Sequence, residues 1–502
     1  MYSLFLLAFT WVSGQLFFEQ QTNALMTSLF ASQNSTKTKI EDLRVVYADE
    51  LTKLEPTFFD PSTRQRLVNI FEPLVKLDRD LNVRPCLALT WGMLDDLTWK
   101  FSLRPEVKFH DGTDLDANDV KASFDRAIKN ENSQLTTILD SIDKVEILDN
   151  KTLKITTKKP DPLLLQRLST VLIFPSEQSG KDQIDPIGTG PYKFFSWKIG
   201  DRLILNRNDS YWGDKPKFPE VEMLMISDKS ARVGALVNND ADLLDFVPFD
   251  GVQNVLDQGF RTAEIPSLEV QFLIFNTKSG IFADVENRNI FSLAIDSETL
   301  VKALGGNFAR TISQFVSNGI FGFNPEIAAH VYDLDQAKKM AEQNGLKGQT
   351  ITLHLPKTLE LLGEHVRNQL SQIGVNVLVS YMENEQFAKS LAANDADVYF
   401  LGFKADIGDA SDFLNTLAYS KGSFNVGHYQ NAKVDQLIED SLVQMDPAKR
   451  LLDLKETMKI VVEDDAFGVP LFEYQKVFAF NKNLDLQPRI DGLIYFDEIN
   501  IK

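Results

Sequence analysis

The chain has 502 residues, 52 of them Lys or Arg and 71 Asp or Glu, a formal net charge of −19 with histidine neutral. That balance speaks against a nucleic-acid binder, which needs clustered positive charge to displace the counterions of phosphates. With 43% apolar and 25% charged residues the chain lies in the ordinary globular range, long enough for roughly two to four domains. A single cysteine, Cys86, rules out an intramolecular disulfide and any multi-cysteine metal site. The five histidines, His110, His330, His354, His365 and His428, are a thin supply of ligands, and neither a metal nor a cofactor is expected.

Residues 1–18 carry no charge, and thirteen of them are apolar. As a helix this run spans about 27 Å, just short of a bilayer core, and it reads as an export signal or an uncleaved anchor. No cysteine follows it to take a lipid. Residues 20–38 hold twelve Ser, Thr, Asn or Gln, too polar to bury a core, so a flexible tether is expected, with folding from near Ile40.

Residues 43–47 form a short strand-like run. Trp99, Phe101 and Leu103 then alternate with Thr98, Lys100, Ser102 and Arg104, the period of a half-buried strand. Asp116 is placed to cap a helix, with Asp119 three residues on, Leu115 and Val120 as a hydrophobic staple, and Val120, Phe124, Ala127 and Ile128 as the apolar stripe. A helix capped by Asp333 and ended by Gly345 precedes a βαβ unit. In that unit a strand at 350–355 and another at 375–379 flank a helix with Leu362, Val366, Leu370 and Ile373 on one face and Gly374 at its end. Two further helices follow, one with Val434, Leu437, Ile438 and Leu442 on a face, one opened by Asp446 and Pro447. Strand-like segments at 271–276 and 469–480 bracket this half. If both cross between lobes they form a paired hinge, and the first lobe is discontinuous. The architecture is mixed α/β.

No reaction centre stands out: there is no GxSxG elbow, no phosphate loop, no HExxH helix and no CxxC pair. Gly188-Thr189-Gly190-Pro191-Tyr192 lacks a third glycine and fits a tight turn before a strand. Asp114, Asp116 and Asn118 imitate a calcium loop, but Asp119 occupies the turn-glycine position, which favours the helix cap. His110, beside Asp111, has no partner set at ligand spacing and reads as a hydrogen-bonded turn histidine. The run 398–409, Val-Tyr-Phe-Leu-Gly-Phe-Lys-Ala-Asp-Ile-Gly-Asp, has a different texture. A carboxylate at a strand end beside an aromatic ring suits a cationic or amine-bearing ligand. A solvated Asp- and Gly-rich turn is the other reading, and the residues alone leave both open.

Several segments carry a resemblance. They include Phe71-Glu72-Pro73-Leu74-Val75, Leu89-Thr90-Trp91, Trp99-Lys100-Phe101-Ser102-Leu103-Arg104 and Val107-Lys108-Phe109-His110-Asp111-Gly112-Thr113. Gly188-Thr189-Gly190-Pro191-Tyr192-Lys193-Phe194, Trp197 and Asn208-Asp209-Ser210-Tyr211-Trp212-Gly213 follow, then Phe275-Asn276-Thr277, Ala294-Ile295-Asp296, Gln372-Ile373-Gly374-Val375 and Val469-Pro470-Leu471. From about residue 43 to the C-terminus the chain thus resembles the extracytoplasmic solute-binding proteins of family 5, which serve peptide, nickel and opine ABC importers.

The resemblance implies a two-lobed periplasmic-binding-protein-like fold of type II, with mixed sheets, two hinge strands and an extra N-terminal subdomain. The expected layout is a signal or anchor at 1–18, a linker at 19–40, lobe I from 41–275 plus 470–502 with a subdomain near 71–185, and lobe II from 276–469. It also implies a binding protein rather than an enzyme, working outside the cytoplasmic membrane, in the periplasm or at the cell surface, and tethered there if residues 1–18 are retained. Such a protein captures oligopeptides in the interlobe cleft as a monomer and delivers them to a permease driven by an ATPase. The alternatives are a receptor for nickel chelate, haem or opine in the same fold, or a membrane-anchored peptide sensor. Peptide-binding members place an aspartate where Asp406 falls, and it neutralises the ligand's α-ammonium group. Phe403 stands near a position often held by tryptophan, and Tyr429 is expected to join Asp406 and Phe403 in binding ligand. Proline commonly follows the second aspartate; Ala410 here is expected to loosen the turn that aims Asp406.

Overall fold

A computed structural model describes residues 40–181, 184–278, 280–304, 308–328, 331–405 and 407–502. The expected leader and nearly all of the tether lie outside these residues, and no helix among the described residues is long and apolar enough to cross a membrane. Ile40, the first described residue, is buried.

Local signals become elements where the chain chemistry requires it. Strand Thr98–Leu103 buries Phe101 and Leu103 and exposes Lys100. Helix Ala117–Lys129 opens on a capping box: Asn118 N–H donates to Asp116 Oδ1 at 2.7 Å, and Asp116 N–H donates to Asp119 Oδ2 at 2.8 Å. Such a cap is worth about 1 kcal/mol. The helix packs Val120, Phe124 and Ala127 into the core of a four-stranded antiparallel sheet made by Ala88–Asp95, Thr98–Leu103, Thr152–Thr157 and Ile142–Asp149. The βαβ unit forms as Thr350–Pro356, helix Glu360–Ser371 and Asn376–Met382, the second strand starting one residue later than expected and ending at Met382. Val398–Lys404 adds in parallel to the other side of Thr350–Pro356.

Among the described residues one sheet of eleven strands runs through the molecule. From one edge its strands are 376–382, 350–356, 398–404, 261–275, 468–480, 243–244, 43–47, 220–225, 202–207 and 192–198, with 309–311 added to 468–480. Its middle is the antiparallel pair Arg261–Phe275 and Gly468–Phe480. Fifteen extended residues reach about 50 Å, enough to pass from one lobe into the other. Apolar clusters drawn from residues 40–265 and 477–499 fill the first lobe, and clusters drawn from 268–472 fill the second. The outgoing strand is more than twice as long as the sequence pattern at 271–276 suggests. Pro266 hides its first half, because proline is usually excluded from central strands. The strand accommodates it with a register break between Pro266 and Val270, where Leu268 takes φ 61°.

The glycine motif at 188–191 is structural. A Cβ on Gly188 would lie 2.0 Å from the Ile70 carbonyl oxygen, so backbone passes over backbone there. Thr189 between the two glycines donates its hydroxyl to Glu72 Oε2 at 2.8 Å. The same buried carboxylate accepts the Tyr211 hydroxyl at 2.7 Å and the Trp212 indole N–H at 2.8 Å. Burial pushes the Glu72 carboxyl above its ordinary range, and the three donors pull against that. His110 closes the motif from the other side. Gly188 N–H donates to its Nδ1 at 3.3 Å, and its Nε2 lies 3.0 Å from the Gly190 carbonyl, the pattern of a neutral ring protonated at Nε2.

Two outcomes follow. Gly188→Ala should cost about 3 kcal/mol of stability through the clash with Ile70, read as a lowered urea midpoint at unchanged slope. Burial pushes His110 down to about 4, so between its usual value near 6.5 and 4 the unfolded chain binds a proton that the folded chain refuses. The stability from neutral His110 is therefore complete above pH 6.5 and lost as pH falls towards 4. His110→Asn should flatten the acid limb of stability against pH; a slope identical to the unaltered protein's would refute this role.

Candidate functional site

A cleft of about 280 Å³ opens between the lobes. Its first-lobe wall comes from residues 59–65, 73–77, 166–170 and 489–495, and its floor from the irregular stretch 265–268 of the outgoing strand. Lys404 and Ile407 of the second lobe face them. Asp406 lies outside the described residues; its neighbours in sequence at 404 and 407 both line the cleft.

The segment from Gly408 to Ser411 is tightly held. Asp409 is 1% exposed and caps helix Ala410–Phe413, accepting the Ser411 N–H at 3.0 Å and the Ser411 hydroxyl at 2.7 Å. Arg450, 3% exposed, donates to both Asp409 oxygens, at 2.6 and 2.8 Å. A buried bidentate pair of this kind is costly to break because either partner alone would be an uncompensated charge. Phe321 N–H donates to the Gly408 carbonyl at 3.0 Å, and Ala410 N–H donates to the Phe321 carbonyl at 2.8 Å. The expectation that Ala410 loosens this turn is therefore corrected: proline has no N–H, and alanine supplies the donor that stitches the turn to residue 321.

Leu81 reaches across from the first lobe. It holds φ 63°, a left-handed conformation that disfavours a branched side chain, and packs against the second-lobe core. A Cβ added to Gly408 would sit 2.8 Å from the Leu81 Cδ1. Ile490 makes the matching contact beside Gly319.

The two aromatic candidates sit elsewhere. Phe403 is half-buried, faces Val270 in the sheet and packs edge-on against Phe413 with ring centres 5.4 Å apart. It supports the strand end, while Lys404 reaches the cleft. Tyr429 is 3% exposed in the second-lobe core. Its hydroxyl donates to Asp465 Oδ2 at 2.5 Å, an oxygen that also accepts Asn431 Nδ2 at 2.7 Å, and its ring tilts on Phe467. The structure thus does not bring Tyr429 to the cleft wall, because its polar end is already committed inside the lobe.

Sequence reasoning missed the basic lining. Arg64, Lys76, Lys404, Lys476 and Arg489 reach the cleft, against one described carboxylate, Asp491. Arg489 donates to Asp491 at 2.7 Å and to the Leu77 carbonyl at 2.8 Å, and Lys476 donates to Asp245 at 2.7 Å. The Tyr495 ring lies between Arg489 at 4.5 Å and Lys76 at 5.8 Å, and burial pushes its hydroxyl up to about 12. The available signal was Arg64 and Arg66 within residues 61–67, a segment without a carboxylate in an acidic chain.

Ala410→Pro should cost about 1–3 kcal/mol, because the Phe321 carbonyl loses its donor; thermal unfolding of the purified variant measures it.

Comparison with known proteins completes the picture. A family model described as bacterial extracellular solute-binding proteins, family 5, middle region, matches residues 82–425, more than half of the chain. The glutathione-binding protein GsiB of Salmonella paratyphi A is 27% identical over 489 residues, covering 92% of this chain and 95% of that protein. HbpA2 from Haemophilus parasuis superposes with a TM-score of 0.85 at 20% identity, covering 92% of this chain and 100% of its own. The ABC transporter-associated periplasmic binding protein DppA from Helicobacter pylori, in complex with peptide STSA, gives 0.73 at 23% identity, covering 91% and 98%. The solved neighbours share the two-lobed periplasmic-binding-protein fold seen here. Two lobes joined by crossing strands, a lined cleft between them and a family match across the middle of the chain converge: this protein belongs to family 5 of the bacterial extracellular solute-binding proteins, the substrate-binding components of ABC importers.

Proposed function

We propose that this receptor captures short oligopeptides in the interlobe cleft and hands them, with the lobes closed, to its permease and ATPase partners. The observation that carries the reading is the strand end at 398–404, which turns at the cleft with Lys404 and Ile407 on its lining and Asp406 between them in sequence. In this reading the Asp406 carboxylate pairs with the ligand's α-ammonium group, and the buried Asp409–Arg450 pair keeps the turn in place. Lobe I comprises 41–275 with 470–502, and lobe II 276–469. The names of similar proteins support a peptide-like ligand: GsiB is called glutathione-binding, and DppA was solved with a peptide. Closure selects the liganded conformer, which the permease reads; no bond in the ligand is made or broken. Residues 1–18, retained or cleaved, direct the chain outside the membrane.

Asp406→Asn should weaken binding of a tripeptide with a free N-terminus by about 1.5–3 kcal/mol, the value of a hydrogen bond to a charged group. The N-acetylated tripeptide should bind both forms equally. Calorimetry showing no loss for the free peptide would remove Asp406 from the site.

A further inference from the structure

Arg64 differs from the other cations of the cleft. Its Nη1 donates to the Thr170 carbonyl at 2.7 Å and its Nη2 to the Ser169 carbonyl at 2.6 Å, while its guanidinium lies 5.4 Å from the centre of the Phe59 ring. These partners are neutral, so they fix the fork without cancelling its charge. Asp491, the acid nearest to it in effect, is held by Arg489 and acts on Arg64 only from beyond ion-pair distance. Burial accordingly pushes Arg64 below its ordinary pKa, as expected of a cation whose counter-charge is missing. Lys76 on the same wall has no carboxylate in ion-pair contact among the described residues; burial works against its charge, but Cys86, Asp497, Tyr495 and Glu72, acting from farther away, hold it above its ordinary pKa, so it is the secondary partner of Arg64 here.

A half-buried guanidinium, held rigid and left without an anion, is unfavourable unless a ligand supplies one. The composition of the cleft points the same way. A chain with net charge −19 presents five cations and one described carboxylate to this one cavity. Two of those cations, Arg489 and Lys476, are ion-paired within the protein, whereas Arg64 and Lys76 line the cleft with no ion pair among the described residues.

Resting on the reading of this cleft as a peptide site, we propose that Arg64, together with Lys76, receives a second carboxylate of the ligand, beyond the terminal one every peptide carries, and that the receptor selects short acidic peptides. The fork of a guanidinium suits a planar carboxylate through two parallel hydrogen bonds. A cavity of about 280 Å³ is at the small end of ligand sites, in keeping with a short ligand.

Calorimetric titration of the full-length protein tests this with glutathione, with alanine tripeptides carrying Glu at each position in turn, with their Gln isosteres, and with the C-terminal amides. At least one acidic ligand should bind about tenfold or more tightly than its uncharged isostere, the ratio of one hydrogen bond to a charged group. Arg64→Gln should shrink that preference to within about threefold, and Arg64→Lys should restore part of it. Because Arg64 also braces Ser169 and Thr170, Lys76→Gln is the second variant, and it too should reduce the preference. Peptides that bind equally well as Glu and Gln forms, or a preference that survives both variants, would overturn the proposal while leaving the peptide reading intact. An Arg64 effect confined to the terminal amides would assign it to the ordinary peptide terminus and overturn acidic selection. Failure of every peptide to bind would overturn both readings.

Discussion

The buried carboxylate of Glu72 is the constraint on which the first lobe depends. A carboxylate that deep is tolerated only with its lone pairs occupied, and the donors come from Thr189, Tyr211 and Trp212, more than a hundred residues along the chain. The segment that carries Glu72 is gripped on every side. Ile70 and Phe71 lie under the glycines of 188–190. Asn69 donates to the Ile494 carbonyl at 2.9 Å and accepts the Phe496 N–H at 2.9 Å. Those contacts join the start of the lobe, its middle and the returning C-terminal segment, and the stretch they hold leads directly into Lys76 and the cleft wall. The motifs that mark the family in the sequence are therefore largely the parts of one buried joint rather than the parts of a ligand site.

That explains how much was legible beforehand. Periodicity at 98–103, the Asp116 cap and the βαβ unit at 350–382 are local, and local chemistry decides them. The glycine motif reads as a turn, and it is a turn whose glycines are demanded by a close backbone crossing. The outgoing hinge strand was half hidden because Pro266 argues against a strand unless a register break is allowed for. Tyr429 lies away from the cleft because Asp465 takes its hydroxyl inside the lobe, a pairing that nothing in the sequence discloses. Of the basic wall only the Arg64 end leaves a trace in the sequence, in a segment without a carboxylate; Arg64, Lys76, Lys404, Lys476 and Arg489 are scattered along the chain and meet only through the fold. Ala410 shows the converse, a departure from the family pattern that reads as a weakness until the Phe321 carbonyl is seen opposite its N–H.

The cleft divides its labour between two kinds of support. On the second lobe a buried ion pair and a cap hold Asp409 and the start of helix Ala410–Phe413. On the first lobe neutral carbonyls hold a guanidinium whose charge is not answered. Both devices fix groups at or beside the cleft through partners from their own lobe.

Leu81 adds a property of a different kind. It touches the second lobe beside the turn at Gly408, apolar against apolar, in a backbone conformation that a leucine adopts at a cost of about 1–2 kcal/mol. The finger therefore joins the two lobes by shape alone, through a contact that neither salt nor pH can tune.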